Sequence, residues 1–143
     1  MTKQEQTAHA VEYYPSADVW VEEGGKVFLV GSRCPKCGTY AFPPATFCSK
    51  CGNTEGLART RLSDSGVLYS FSEVQVAPKG LGVRAPYTVG YVDFPEGVRV
   101  FGQVEHTAAE LRVDEQVRVV LGVIREPEGG PPIISYKFRK KGE

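Results

Sequence analysis

The chain has 143 residues, 41% of them hydrophobic, which gives room for one ordinary domain or for a small metal module joined to a compact partner domain. Its 17 Lys and Arg balance 17 Asp and Glu, which argues against bulk nucleic-acid affinity, because displacing phosphate counterions requires an excess of cations. No stretch approaches the roughly 20 apolar residues of a membrane span, and the opening Met1-Thr2-Lys3-Gln4-Glu5-Gln6 lacks an apolar signal core, so a cytoplasmic protein with reduced thiols is expected.

Residues 1–23 read as an arm, polar at first and then carrying Tyr13, Tyr14, Val19 and Trp20 without helical periodicity. Its aromatic section either packs on its own domain or is held by a partner. Gly24-Gly25 signals a turn, and Lys26 to Gly31 reads as a strand feeding into the first pair of cysteines. All four cysteines of the chain fall in two knuckles, Cys34-Pro-Lys-Cys37-Gly38 and Cys48-Ser-Lys-Cys51-Gly52. A CxxC turn supplies one edge of the sulfur tetrahedron that zinc prefers, so the pattern predicts a zinc ribbon over residues 24–60. The expected cofactor is one structural Zn2+ per chain on Cys34, Cys37, Cys48 and Cys51, with no coordination position left for water or substrate. Two disulfides or free thiols are the alternative, and bridges between cysteines so close in sequence are geometrically poor. Between the knuckles, Thr39 to Phe42 reads as a short strand broken by Pro43-Pro44.

Residues 61–143 change texture to regularly spaced strands: Gly66–Val76, Pro86–Phe94, Val98–Val104, Gln116–Ile124 and Ile133–Phe138. A change of alternation at Ser72-Glu73 suggests a bulge, Pro95-Glu96-Gly97 a tight turn, and Thr107 to Asp114 at most one turn of helix. A mostly β fold is expected, a rubredoxin-like zinc ribbon followed by a five-stranded OB-fold barrel, with an SH3-like barrel or an open meander as alternatives.

In their order, Cys34-x-x-Cys37-Gly, Phe42-Pro43-Pro44, Cys48-x-x-Cys51-Gly, Ser65 to Ser72, Ala85-Pro86-Tyr87, Glu96 to Gln103 and Phe138 resemble the zinc-ribbon OB-fold proteins associated with acyl-CoA enzymes. The likeness covers about Gly24 to Arg139. It departs at the N-terminus, where such proteins commonly carry a helical arm and this chain has β-branched and aromatic residues. The resemblance implies a non-catalytic accessory subunit beside a thiolase-like enzyme in a hetero-oligomer, supporting assembly, with acyl-CoA at the interface. A narrower similarity is to small subunits of thiolases in aromatic-compound breakdown, of toluene and benzylsuccinate.

The residues supply little for catalysis. With every cysteine committed to metal no thiol is left for acyl transfer, and His9 and His106 read as surface or structural imidazoles. Coenzyme A needs cations for its phosphates and an apolar groove for its pantetheine. Lys79-Gly80-Leu81-Gly82-Val83-Arg84 fits that need as a glycine-hinged loop, with Lys79 and Arg84 as candidate coenzyme A contacts. Leu81 and Val83, together with Tyr13, Tyr14 and Trp20, are candidate partner contacts. A plain hairpin loop is the competing reading. Nucleic-acid binding remains the alternative function, since Tyr69, Phe71, Tyr87, Tyr91, Phe94 and Phe101 could stack bases. Balanced charge weighs against it, and alternation assigns several of these rings to the core.

Overall fold

The computed structural model describes residues 12–143. Strand β1 (Glu12–Tyr13) leads through a 3-10 turn (Ala17–Val19) into β2 (Trp20–Glu23). Gly24 and Gly25, at φ +60° and +78°, make the two-residue reversal that sends the chain back along β3 (Lys26–Arg33). Strands β4 (Tyr40–Ala41) and β5 (Ala58–Arg61) both pair with β3, completing a small antiparallel sheet that carries the cysteine knuckles. Gly31 is required there, because a Cβ at that position would collide with the Ala41 carbonyl oxygen.

The second sheet is the barrel: β6 (Ser65–Val74), β7 (Tyr87–Asp93), β8 (Arg99–Val104), β9 (Gln116–Arg125) and β10 (Ile133–Lys140). Neighbours run β9-β6-β7-β8-β10, and antiparallel pairing of β10 with β9 closes the circle. This is the five-stranded OB arrangement, including the parallel β8–β10 contact, which joins Phe138 to Val104. That contact is short. Beyond it the β8–β10 seam opens into a groove, and β1 pairs with the start of β10 on the same edge that β8 meets farther along, with Glu12 beside Ile133. A 3-10 turn at Ala108–Glu110, begun by the Glu110 carboxylate accepting from the Thr107 backbone N–H at 2.8 Å, forms the one expected turn of helix.

One apolar cluster runs through both sheets. Leu68, Val92, Val117, Val119 and Phe138 are almost fully enclosed in the barrel, and Leu29, Leu62, Val27, Val19 and Trp20 extend the same core under the ribbon sheet. Of the two readings of the arm, packing on its own domain holds for its second half: Val19 and Trp20 are interior, since β2 zips onto β3 and turns the indole inward, which corrects the placing of Trp20 among the partner contacts, whereas Tyr13 and Tyr14 remain about half exposed. The bulge is also displaced. It falls between Leu68 and Ser70 and places Tyr69 outside, so Leu68 is the buried residue of that stretch and Val67 and Tyr69 face solvent. Among the described residues no helix is long and apolar enough to cross a membrane.

Candidate metal centre and ligand groove

The two knuckles are built alike. In the first, the Gly38 N–H donates to the Cys34 carbonyl at 2.8 Å and the Cys34 N–H to the Thr39 carbonyl at 2.9 Å; in the second, Gly52 and Cys48 repeat this with Cys48 and Asn53, both at 2.8 Å. Gly38 and Gly52 take φ of +78° and +79°, a conformation that costs a side-chain-bearing residue steric strain. The four sulfurs all lie within 4.8 Å of one another, with Cys34–Cys51 at 3.7 Å and Cys37–Cys48 at 3.5 Å. A ZnS4 tetrahedron with bonds of about 2.3 Å has edges of about 3.8 Å. None of the sulfurs is bonded to another, so the disulfide alternative is set aside.

Electrostatics point the same way. The Cys37 backbone N–H, the first of several donors, pulls the Cys34 thiol down to about 6. At Cys51 the Asn53 backbone N–H also pulls downward, but burial and the three neighbouring sulfurs outweigh it and push the thiol up to about 11. Four sulfurs this close cannot all ionise without a cation among them. The chain thus carries one rubredoxin-like structural zinc site, in which Asn53 Nδ2, 3.6 Å from Cys34 Sγ, and Thr39 Oγ1, 3.1 Å from Cys37 Sγ, are placed to support the thiolates.

The β8–β10 seam holds the second feature, a groove of about 540 Å3. Strands β7 and β8 give Tyr87, Val89, Phe101 and Gln103, the far wall gives Ile124, Ser135 and Tyr136, and the β6–β7 loop covers it with Leu81 and Val83. Tyr14 enters from the arm. The structure therefore brings together three of the partner candidates, Tyr14, Leu81 and Val83, which are remote in sequence. A smaller polar recess of about 190 Å3 shares Val83, Tyr87, Gln103, Ile124 and Arg125 with the groove and adds Arg84 and Glu126. Arg125 was not singled out by the sequence; its place depends on β9 ending beside the β6–β7 loop, and no local motif signals that. Lys79 lines neither space. It sits in the exposed turn that the Leu81 N–H closes on the Pro78 carbonyl at 3.3 Å.

The loop that covers the groove is latched. The Glu126 N–H donates to the Gly82 carbonyl at 2.8 Å, and a Cβ on Gly82 would come within 2.6 Å of the Glu126 carbonyl carbon. Gly82, at φ +82°, thereby fixes Leu81 and Val83 against the groove. Burial drives the Tyr136 hydroxyl up to about 12, so it stays protonated and donates to the Phe101 carbonyl at 3.0 Å.

Of the six rings considered as a base-stacking platform, Phe94 is buried, Phe71 and Tyr87 are half-buried, and Tyr69, Tyr91 and Phe101 are exposed. Arg99 lies 3.4 Å from the centre of the Tyr69 ring, and Asp93 binds its guanidinium through two oxygens at 2.6 and 3.0 Å. His106 Nε2 accepts from the Lys140 N–H at 3.1 Å, which ties β10 to the loop after β8, and it does not line the groove. His9 lies outside the described residues.

Comparison with known proteins agrees with both halves of this architecture. Residues 29–55 match the rubredoxin-like zinc ribbon domain of ChsH2, and residues 59–122 match the C-terminal OB-fold domain of ChsH2. The benzoylsuccinyl-CoA thiolase subunit BbsA of Thauera aromatica is 40% identical over 118 residues, 82% of this chain and 80% of that protein. BbsA of Geobacter metallireducens is 42% identical over 119 residues, 83% and 79% of the two chains. A DUF35 domain-containing scaffold protein of Methanocaldococcus jannaschii is 35% identical over 114 residues, 79% and 80% of the two chains. Among solved structures, the Ltp2-ChsH2(DUF35) aldolase aligns with a TM-score of 0.64 at 24% identity, over 79% of this chain and 84% of that one, a likeness of fold.

Proposed function

This chain belongs to the ChsH2 family of zinc-ribbon and OB-fold proteins, and from that membership we propose that it is a non-catalytic accessory subunit of a thiolase-superfamily enzyme acting on acyl-CoA thioesters. The observation that carries the reading is the 40% identity to a thiolase subunit across both the ribbon and the barrel. Its chemistry is consistent with that role. All four thiols of the chain converge on one metal position, so a cysteine nucleophile for acyl transfer would come from another chain. The same relatives favour a place in aromatic-compound degradation.

In this reading the ribbon (24–60) and barrel (61–143) form a platform whose docking surface includes Tyr13, Tyr14, Leu81 and Val83, with Lys79 and Arg84 close to the partner's coenzyme A entrance. Trp20 is withdrawn from that surface because it is needed by the chain's own core. The test is to mix the purified chain with a thiolase-like subunit from the same cell and follow co-elution and acyl-CoA turnover. A stable complex that is active, with the isolated small chain inactive, is expected. If the chain elutes alone and is instead retained by single-stranded RNA, the proposal fails and the nucleic-acid alternative replaces it.

A further inference from the structure

We propose that the outer face of β6, β7 and β8, carried by Tyr69, Tyr91, Arg99 and Phe101, is the larger part of the surface that docks on the thiolase-like subunit. This rests on the reading of the chain as an accessory subunit, and it assigns a sheet face, outside the arm and the β6–β7 loop, that the reading does not contain.

Three observations carry it. First, apolar exposure is concentrated on this face. Strand pairing sets Ser70 beside Tyr91 and Tyr91 beside Phe101, and the adjoining row holds Val67, Asp93 and Arg99. Tyr69, Tyr91 and Phe101 are 49%, 43% and 49% exposed although they stand within strands rather than on loops. The inward side chains of the same strands, Leu68, Val92 and Val100, already fill the barrel, so the outward rings contribute little to its core. Second, the face is held in shape before anything binds. Asp93 grips the Arg99 guanidinium through two oxygens at 2.6 and 3.0 Å, that guanidinium lies 3.4 Å from the centre of the Tyr69 ring, and the Tyr91 and Phe101 rings stand 5.2 Å apart. Side chains fixed by their neighbours lose little freedom on docking, and Tyr and Arg are residue types in which binding energy concentrates. Because Asp93 compensates the charge of Arg99, the face complements an apolar protein surface better than a phosphate backbone, which calls for cations free to displace counterions.

Third, area decides what the face is for. A stable interface takes about 800 Å2 from each partner. With about 100 Å2 from each half-exposed aromatic side chain, Tyr13 and Tyr14 together with the more covered Leu81 and Val83 supply about 300 Å2, too little to hold a hetero-oligomer. The outer face adds about 400 Å2 on the same reckoning. It adjoins the first surface at Phe101, which lines the groove together with Tyr14, Leu81 and Val83. Either surface alone is too small, and the two joined reach the size of a stable interface with a larger subunit.

The test is hydroxyl-radical footprinting of the full chain, alone and mixed with the thiolase-like subunit from the same cell, read by mass spectrometry at single side chains. Oxidation of Tyr69, Tyr91 and Phe101 should fall several-fold in the complex. Replacing all three, Tyr69→Thr with Tyr91→Thr and Phe101→Thr, keeps residues that favour strands and should weaken the complex by about a hundredfold or more, with zinc content and urea midpoint of the free chain little changed. If the triple variant does not fold, Tyr91→Thr alone should weaken it by about tenfold. A complex in which the three rings oxidise as fast as in the free chain, or which the folded variants join as tightly as the unaltered chain, refutes the surface and leaves the accessory role standing. An unaltered chain that joins no thiolase-like subunit refutes the accessory role and this surface with it. A free chain that light scattering shows to be a dimer, and the triple variant to be a monomer, gives the face to a second copy; single-stranded RNA retained by the unaltered chain and released by the variant gives it to nucleic acid. Either result overturns the inference.

Discussion

Single residues differ in how far their role could be read from sequence. Cysteine and glycine announce themselves, because a thiolate pair two residues apart and a glycine behind it impose one local geometry, and Cys34 to Gly38 and Cys48 to Gly52 adopt it in duplicate. Charged residues do not, because their partners are set by tertiary approach. Glu105 is such a case: it meets Arg139 Nε at 2.6 Å and Lys137 Nζ at 3.6 Å across the β8–β10 contact. Burial pushes its carboxyl up, but the Arg139 hydrogen bond and the charges of Lys137 and Arg139 outweigh this and hold it below the usual range. A carboxyl whose folded pKa is depressed favours the folded state above its unfolded value and loses that contribution as pH falls through the folded value. Glu105→Gln should therefore cost about 1 kcal/mol at neutral pH, a charge-assisted bond discounted for its solvated rim. The difference from the unaltered chain should shrink below about pH 4. Urea unfolding at several pH values reads this directly, and a constant difference down to pH 3 would refute it.

At the scale of elements, strands were legible wherever apolar alternation met a turn signal, which is why β3, β7, β8, β9 and β10 stand close to where periodicity puts them. Two elements were not. Strand β5, Ala58-Arg-Thr-Arg61, is largely polar and largely exposed, and it exists because β3 offers it a ladder rather than because of its own pattern. In β6 the bulge falls at Tyr69 rather than at Ser72-Glu73, because which residue is left unpaired depends on the register with β7 and not on the alternation within β6. The arm shows the same limit on a larger scale. Tyr13, Tyr14, Val19 and Trp20 look alike in sequence, yet pairing of β2 with β3 divides them into two exposed and two buried. Trp20 is 8% exposed, and Trp20→Ala should cost about 3–5 kcal/mol, the range for emptying a large aromatic site. Removing residues 1–21 should consequently destabilise the barrel as well as the arm. A truncated chain whose urea midpoint matches the full one would show that the β2 contribution to the core is dispensable.

For the molecule as a whole, the question is how far the metal supports the barrel. The core cluster contains none of the cysteines; its members that precede the barrel strands, Val19, Trp20, Val27, Leu29 and Leu62, all flank the knuckles without lying in them. The barrel's own strands close on one another without the knuckles, and what they share with the ribbon is the apolar core beneath β3. Among the contacts between the knuckle region and the barrel, Phe42, beside β4, meets the Tyr136 ring edge-on at 5.6 Å, and Tyr136 lines the groove. Binding of a structural zinc is worth on the order of 10–16 kcal/mol in small modules, and without it the short β4 has little to hold it. Stripping the metal with a strong chelator, or Cys37→Ser, should therefore open residues 34–57 to protease at Lys36 and Lys50 while the barrel keeps its cooperative unfolding and near-ultraviolet signal. Loss of Phe42 from Tyr136 should at the same time loosen the groove wall without unfolding the barrel. Simultaneous melting of ribbon and barrel on chelation would show the core to be less independent of the knuckles than its membership implies, and an unchanged protease pattern would show that the four thiolates hold no structural metal.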